Sequence, residues 1–162
     1  MLLAIVADTH MQSGARRLPG ACLQRLQAAD LIIHAGDLCT VEVLRELEAH
    51  TPVAAVHGNV DSLELRRLLP EVRTLSAAGA RIVVVHDAGP ARGRLARLRR
   101  RFPGADAVVF GHSHLPLHER DARGLQIFNP GSPTERRRAP RHTMGMARAQ
   151  DGRVEFELVT LD

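Results

Sequence analysis

Residues 108–114 read Val-Val-Phe-Gly-His-Ser-His. The apolar run Val108-Val109-Phe110 predicts a strand buried on both faces. Gly111 ends it, and without a Cβ it lets the backbone turn tightly. His112 and His114 follow, one residue apart. Neutral imidazole is the commonest protein ligand for transition ions, so a histidine pair at a strand end points to metal. The pair gains weight because four other apolar runs end in the same way. Leu2–Ala7 leads into Asp8-Thr9-His10, and Leu31–His34 into Ala35-Gly36-Asp37. Val53–His57 leads into Gly58-Asn59-Val60-Asp61, and Ala80–Val85 into His86-Asp87.

The segments between these runs complete an alternating pattern. Ala21–Ala29 and Val41–His50 carry apolar residues at helical spacing, with Thr40 standing where an N-cap belongs. Ser62–Leu69 reads as a short helix closed by Pro70. Val72–Leu75 and Ala80–Val85 predict a hairpin about Gly79. Leu95 and Leu98 mark a further helix, broken by Pro103-Gly104. Leu125–Phe128 reads as a strand ending in Asn129-Pro130-Gly131-Ser132. Thr143–Ala149 and Val154–Val159 read as an antiparallel pair around Asp151-Gly152. Met11–Gly20 reads as a polar loop. No repeat, linker or low-complexity tract divides the chain. We expect a single α/β domain over residues 1–162, with two packed sheets and helices outside.

Composition narrows the function. The 162 residues are 44% hydrophobic, enough for a full core. All 22 basic residues are Arg, and the formal net charge is +4, which attracts phosphate-bearing partners. Aromatic residues are only 2%, which argues against a platform for stacking bases. Cys22 and Cys39 lack a metal-binding spacing and read as small buried thiols of a reducing compartment. Nothing resembles a secretory signal or a membrane span, so we expect a cytoplasmic protein without a membrane partner.

In open α/β sheets, ligands gather at the carboxyl ends of the strands. That rule brings Asp8, His10, Asp37, Asn59, His86, His112 and His114 into one crevice. The set holds no thiolate, which excludes Fe–S clusters and structural zinc–thiolate sites. Seven ligands exceed the need of one ion with an open position and suit two ions sharing a carboxylate.

Asp-x-His, Gly-Asp, Gly-Asn-x-Asp, a strand-end His and Gly-His-x-His, in that order, resemble the calcineurin-like metallophosphoesterase superfamily. The short chain and Asn129-Pro130-Gly131-Ser132 resemble its small prokaryotic phosphodiesterase branch, to which the retromer scaffold subunit is related. The resemblance implies a four-layer α-β-β-α sandwich of two mixed sheets flanked by helices. It implies that Asp8, His10 and His114 hold one divalent ion, that Asn59, His86 and His112 hold a second, and that Asp37 bridges both. Manganese is the first expectation, with iron, zinc or nickel as alternatives. The implied reaction is hydrolysis of a phosphodiester by a hydroxide between the two ions, with Asp37, Asn59 and His86 acting through it and no side-chain nucleophile.

Two positions depart from the pattern. Many members have His after the Asn of the third motif, where this chain has Val60; a missing acid penalises poor leaving groups and favours diesters over simple monoesters. His86-Asp87-Ala88 stands where many relatives read His-Gly-His. Three rival readings accompany the diesterase: a non-catalytic scaffold of the same fold, a phosphomonoesterase or nucleotidase, and nucleic-acid binding through arginines. A cyclic nucleotide substrate and a homo-oligomer are family-level expectations.

Other residues carry weaker readings. Asp61 reads equally as a group that orients a metal ligand from behind or as the cap of the next helix. His34 and His57 read as hydrogen-bonded histidines inside strands, and His50, His118 and His142 as exposed. Asn129–Ser132 reads as a turn closing the site wall. Arg92, Arg94, Arg97, Arg99, Arg100 and Arg101 read as a solvated basic face, with phosphate steering as the alternative. Arg136-Arg137-Arg138 would share that role if it lies near the cleft.

Overall fold

The computed structural model describes residues 1–12 and 16–162. Its first half alternates strand and helix: β1 (Leu2–Val6), α1 (Gly20–Ala28), β2 (Leu31–His34), α2 (Val41–Glu48), β3 (Val53–Ala55) and α3 (Leu63–Leu68). Then follow β4 (Val72–Ala77), β5 (Ala80–Val85), α4 (Arg94–Arg101), β6 (Ala107–Val109), β7 (Leu117–Arg120), β8 (Gln126–Asn129), β9 (Thr143–Gln150) and β10 (Arg153–Thr160). The strands form two five-stranded sheets, in the orders β10-β9-β1-β2-β3 and β4-β5-β6-β8-β7. Both are mixed. β1, β2 and β3 run parallel, as do β5, β6 and β8, while β9, β10, β4 and β7 pair antiparallel to their neighbours.

The layering follows from the period of two in a strand. Leu3 and Ile5 of β1 face the second sheet and meet Ile82, Val84, Val109 and Phe128 in a shared core. Ala4 and Val6 point to the opposite face and pack with Leu26 of α1, Leu44 and Leu47 of α2, and Leu65 of α3. On the far side, Val83, Val85 and Val108 pack against Leu98 of α4. The helix–sheet–sheet–helix order is therefore a consequence of strands apolar on both faces. In α2, Val43, Leu44 and Leu47 are buried while Glu42, Arg45, Glu46 and Glu48 are exposed. Among the described residues, no helix is long and apolar enough to cross a membrane.

Several expected boundaries shift. β3 stops at Ala55, so His57 lies beyond the strand, and α2 stops at Glu48, short of His50. Thr40 takes the N-cap position of α2 but makes no side-chain cap bond. The loop expected over Met11–Gly20 lies partly outside the described residues, and its last residue opens α1. β7 was not expected. Its Leu-His-Glu-Arg sequence is exposed after the first residue, which is the pattern of a sheet edge.

Candidate metal centre

The carboxyl ends of β1, β2 and β3 meet those of β5 and β6 along one border of the sandwich. The loops there are knitted by long-range bonds: Asp8 N–H donates to Gly36 O at 3.0 Å, His10 N–H to Asp37 O at 3.0 Å, and His112 N–H to the Asp8 carboxylate at 3.1 Å. Asp8, His10, Asp37, His112 and His114 all have left-handed backbones, with φ between +43° and +68°. Non-glycine residues rarely adopt that conformation, and it persists only where surrounding structure enforces it.

All seven predicted ligands come together. On one side His10 Nε2 lies 3.1 Å from His114 Nε2, and His114 Nε2 lies 3.8 Å from Asp8 Oδ1. On the other side Asn59 Oδ1 is 3.0 Å from His86 Nε2 and 3.1 Å from His112 Nδ1. Between them stands Asp37, whose Oδ2 is 3.6 Å from His10 Nε2 and 3.3 Å from His86 Nε2. Two glycines permit this approach. A Cβ at Gly58 would fall 2.0 Å from Asp37 Oδ1, and one at Gly111 would fall 2.8 Å from Ala7 Cβ and 3.0 Å from Asp8 Oδ2.

The rings are held so that lone pairs converge. His86 Nδ1 donates to Ala35 O at 2.8 Å, and His114 Nδ1 donates to Glu135 O, which turns Nε2 of each toward the other candidate ligands. Asp8 Oδ2 is buried and has no hydrogen-bond partner among the described residues. Burial pushes the Asp8 carboxyl up to about 7 and holds His10 and His114 below the ordinary histidine value. Burial also opposes charge on Asp37 and His86, but their contact outweighs it, so Asp37 is held low and His86 high. A buried carboxylate oxygen without a hydrogen-bond partner beside facing imidazole nitrogens is a set suited to a cation. Its mixed nitrogen and oxygen donors fit divalent transition ions.

Groups outside the seven explain how they are held. Asp61 is buried, and its carboxylate accepts from Asp37 N–H at 3.0 Å, Cys39 N–H at 2.6 Å and Gly58 N–H at 2.6 Å. It thus fastens the ends of β2 and β3 together, while Ser62 caps α3 through Leu65 N–H. Of the two readings of Asp61, the orienting one matches these contacts. His34 is fully buried and bonded to Thr9 Oγ1 at 3.1 Å and to Gly36 N–H at 3.2 Å; burial pushes its pKa down to about 3. His118 is structural, bonded to Gln126 and stacked edge-on against Phe128 and Phe156.

The basic face of α4 is largely committed to the fold. Arg97 donates to the carbonyls of Ala88, Pro90 and Arg92, Arg94 to that of Gly89, and Arg99 pairs with Asp121. Arg101, with Arg66, lines a cleft of about 280 Å³ beside Asn59 and His86. The Asn129–Ser132 turn does close a wall: Asn129 donates to Gly111 O, and Ser132 Oγ donates to Asp8 O at 2.7 Å. Of the arginine triplet, Arg137 lies at the centre, 4.0 Å from Glu135, and Glu135 is 3.6 Å from His10 Nε2. Nothing local in the sequence marks Glu135. Only the wall that Ser132 anchors brings it back to His10.

Known proteins resemble this chain in sequence and in fold. A profile of the calcineurin-like phosphoesterase superfamily domain matches residues 1–152. A probable metallophosphoesterase of Methanocaldococcus jannaschii is 37% identical over 137 residues, 83% of this chain and 69% of that protein. A probable metallophosphoesterase of Methanothermobacter thermautotrophicus is 34% identical over 139 residues, 83% of this chain and 78% of that one. The zinc-complexed Vps29 of Entamoeba histolytica superposes with a TM-score of 0.77 at 22% identity, covering 100% of both chains, so the two share the fold. With the profile spanning residues 1–152 and relatives at 37% and 34% identity, the chain belongs to the calcineurin-like phosphoesterase superfamily.

Proposed function

We propose that the chain hydrolyses phosphodiesters with two divalent ions. Asp8, His10 and His114 would hold one, Asn59, His86 and His112 the other, and Asp37 both. The observation that carries this reading is the position of Asp37 Oδ2, within 3.6 Å of His10 Nε2 and 3.3 Å of His86 Nε2. When bound, such a pair of ions polarises phosphoryl oxygens and supplies a water-derived nucleophile at neutral pH. The protein's part is to keep the imidazoles aimed, which the Ala35 and Glu135 carbonyls do for His86 and His114. Manganese is the first metal to try, then iron, zinc and nickel.

Substrate preference follows from Val60, which is 45% exposed at the position where many members carry an acid. A leaving group there must depart without a side-chain proton donor, which favours diesters with good leaving groups over simple monoesters. A small diester such as a cyclic nucleotide suits this reading, and the Arg66–Arg101 cleft offers room beside Asn59.

The test is hydrolysis of bis-p-nitrophenyl phosphate by metal-stripped protein, with and without manganese, beside the monoester and an Asp37→Asn variant. Metal-dependent diester turnover, lost by about a thousandfold or more in the variant, is expected. Folded protein that stays silent with manganese, nickel and zinc would sink the reading.

A further inference from the structure

The segment after β8 crosses the mouth of the Asp8 side of the centre. It is pinned by side chains onto distant backbone: Ser132 Oγ to Asp8 O at 2.7 Å and Thr134 Oγ1 to Thr9 O at 2.6 Å. The Glu135 carbonyl accepts from the His114 ring N–H, and the Glu135 carboxylate lies beside the candidate ligands. That carboxylate has three cationic or donor neighbours: His10 Nε2 at 3.6 Å, Arg16 Nη1 at 3.2 Å and Arg137 Nε at 4.0 Å. Arg137 adopts a left-handed backbone, with φ +47°, and its side chain is half exposed. Among the described residues, neither guanidinium has another carboxylate partner.

An exposed ion pair of this kind adds little stability, because solvent screens it and ordering two long side chains is costly. The left-handed backbone at Arg137 belongs to a turn closed by Ala139 N–H, which donates to Arg136 O at 2.8 Å, and that turn presents the Arg137 side chain to Glu135. Its position supplies a rationale. A carboxylate and a phosphoryl group offer guanidinium the same pair of acceptor oxygens. Glu135 occupies the place where such oxygens would lie if a phosphate sat against the Asp8–His10–His114 side.

We propose that Arg137 and Arg16 form a phosphate-binding clamp at the metal centre, and that Glu135 is an internal competitor which the phosphate displaces. The clamp deepens the phosphoesterase reading by assigning the residues that receive the non-bridging oxygens.

Calorimetric titration of inorganic phosphate into manganese-loaded protein tests the clamp without any turnover. Arg137→Ala should weaken phosphate binding about tenfold, and Arg16→Ala should weaken it in the same direction. Glu135→Gln, which keeps the shape and removes the charge, should tighten it several-fold. Manganese content and melting temperature are measured on each variant. Unchanged affinity in Arg137→Ala, or weaker binding in Glu135→Gln, would overturn the proposal. So would loss of manganese in Glu135→Gln, which would make Glu135 a ligand instead. Phosphate binding that obeys the two opposite signs supports the clamp even if no diester is hydrolysed, so the two readings fail separately.

Discussion

Asp8 and His114 are fully buried, whereas Asn59 and His112, across Asp37 from them, are exposed. The rings of the buried half are fixed from outside: His114 by the Glu135 carbonyl, with Ser132 and Thr134 pinning the segment over Asp8 and Thr9. In the open half the Ala35 carbonyl fixes the His86 ring, whereas the His112 ring, among the described residues, bonds only to Asn59 and His86, themselves candidate ligands. Equal numbers of donors are thus held in unequal ways. A closed, prearranged set retains an ion, while an open one lets it exchange. On the proposed two-ion reading, retention falls to the Asp8 side and exchange to the Asn59 side.

pH offers the largest lever on this contrast, and it needs no metal. Burial raises Asp8 from 3.8 to about 7. Below about pH 4 both folded and unfolded chains hold that proton. Between there and pH 7 only the unfolded chain releases it, so the metal-free fold loses up to about 4 kcal/mol as pH rises. Urea unfolding of chelator-treated protein at about pH 5 and pH 8 reads the slope, and Asp8→Asn should flatten it. Equal slopes in parent and variant would mean that the buried half carries no such tension.

Asp61 comes next, since it supports Asp37 and, through Gly58, the start of the open half. Asp61→Ala leaves three backbone N–H groups without their acceptor and should cost about 3 kcal/mol or more in chemical denaturation. Asp61→Asn keeps one acceptor oxygen and should cost less.

Metal affinity then compares the halves directly. His114→Ala should weaken manganese binding about a hundredfold and His112→Ala about tenfold, read by titration of stripped protein. Equal losses would erase the distinction. The smallest effect belongs to Ser62→Ala. It removes the α3 cap beside the open half and should cost about 1 kcal/mol without changing manganese stoichiometry.

The convergence of the seven side chains was readable because each follows an apolar run that reads as a buried strand. Val108–Phe110 names its own partner layer by being apolar at every position, and the histidines come directly after it. β7 was not readable: Leu117–Arg120 buries almost nothing, and its pairing with β8 depends on a neighbour rather than on its own pattern. Asp61 was half-readable, because its proximity to Asn59 is local while its bonds to Asp37 and Cys39 cross to another strand end. Glu135 was hidden for the same reason, and of Arg137 the sequence offered a role but not a place. They sit in a stretch rich in Pro and Arg with no periodicity, and two hydroxyl-to-carbonyl bonds across more than a hundred residues place them.

Five ligand positions lie in the left-handed region of backbone space, among them both aspartates. Each asks a residue with a Cβ to hold a conformation that glycine or asparagine would take more readily, at a cost of roughly 1 kcal/mol or more per position. A lineage released from binding metal would drift toward relief at those points first. Glycine or asparagine at residue 8, 10, 37, 112 or 114 would be the earliest written sign that a descendant had kept the fold and abandoned its ions.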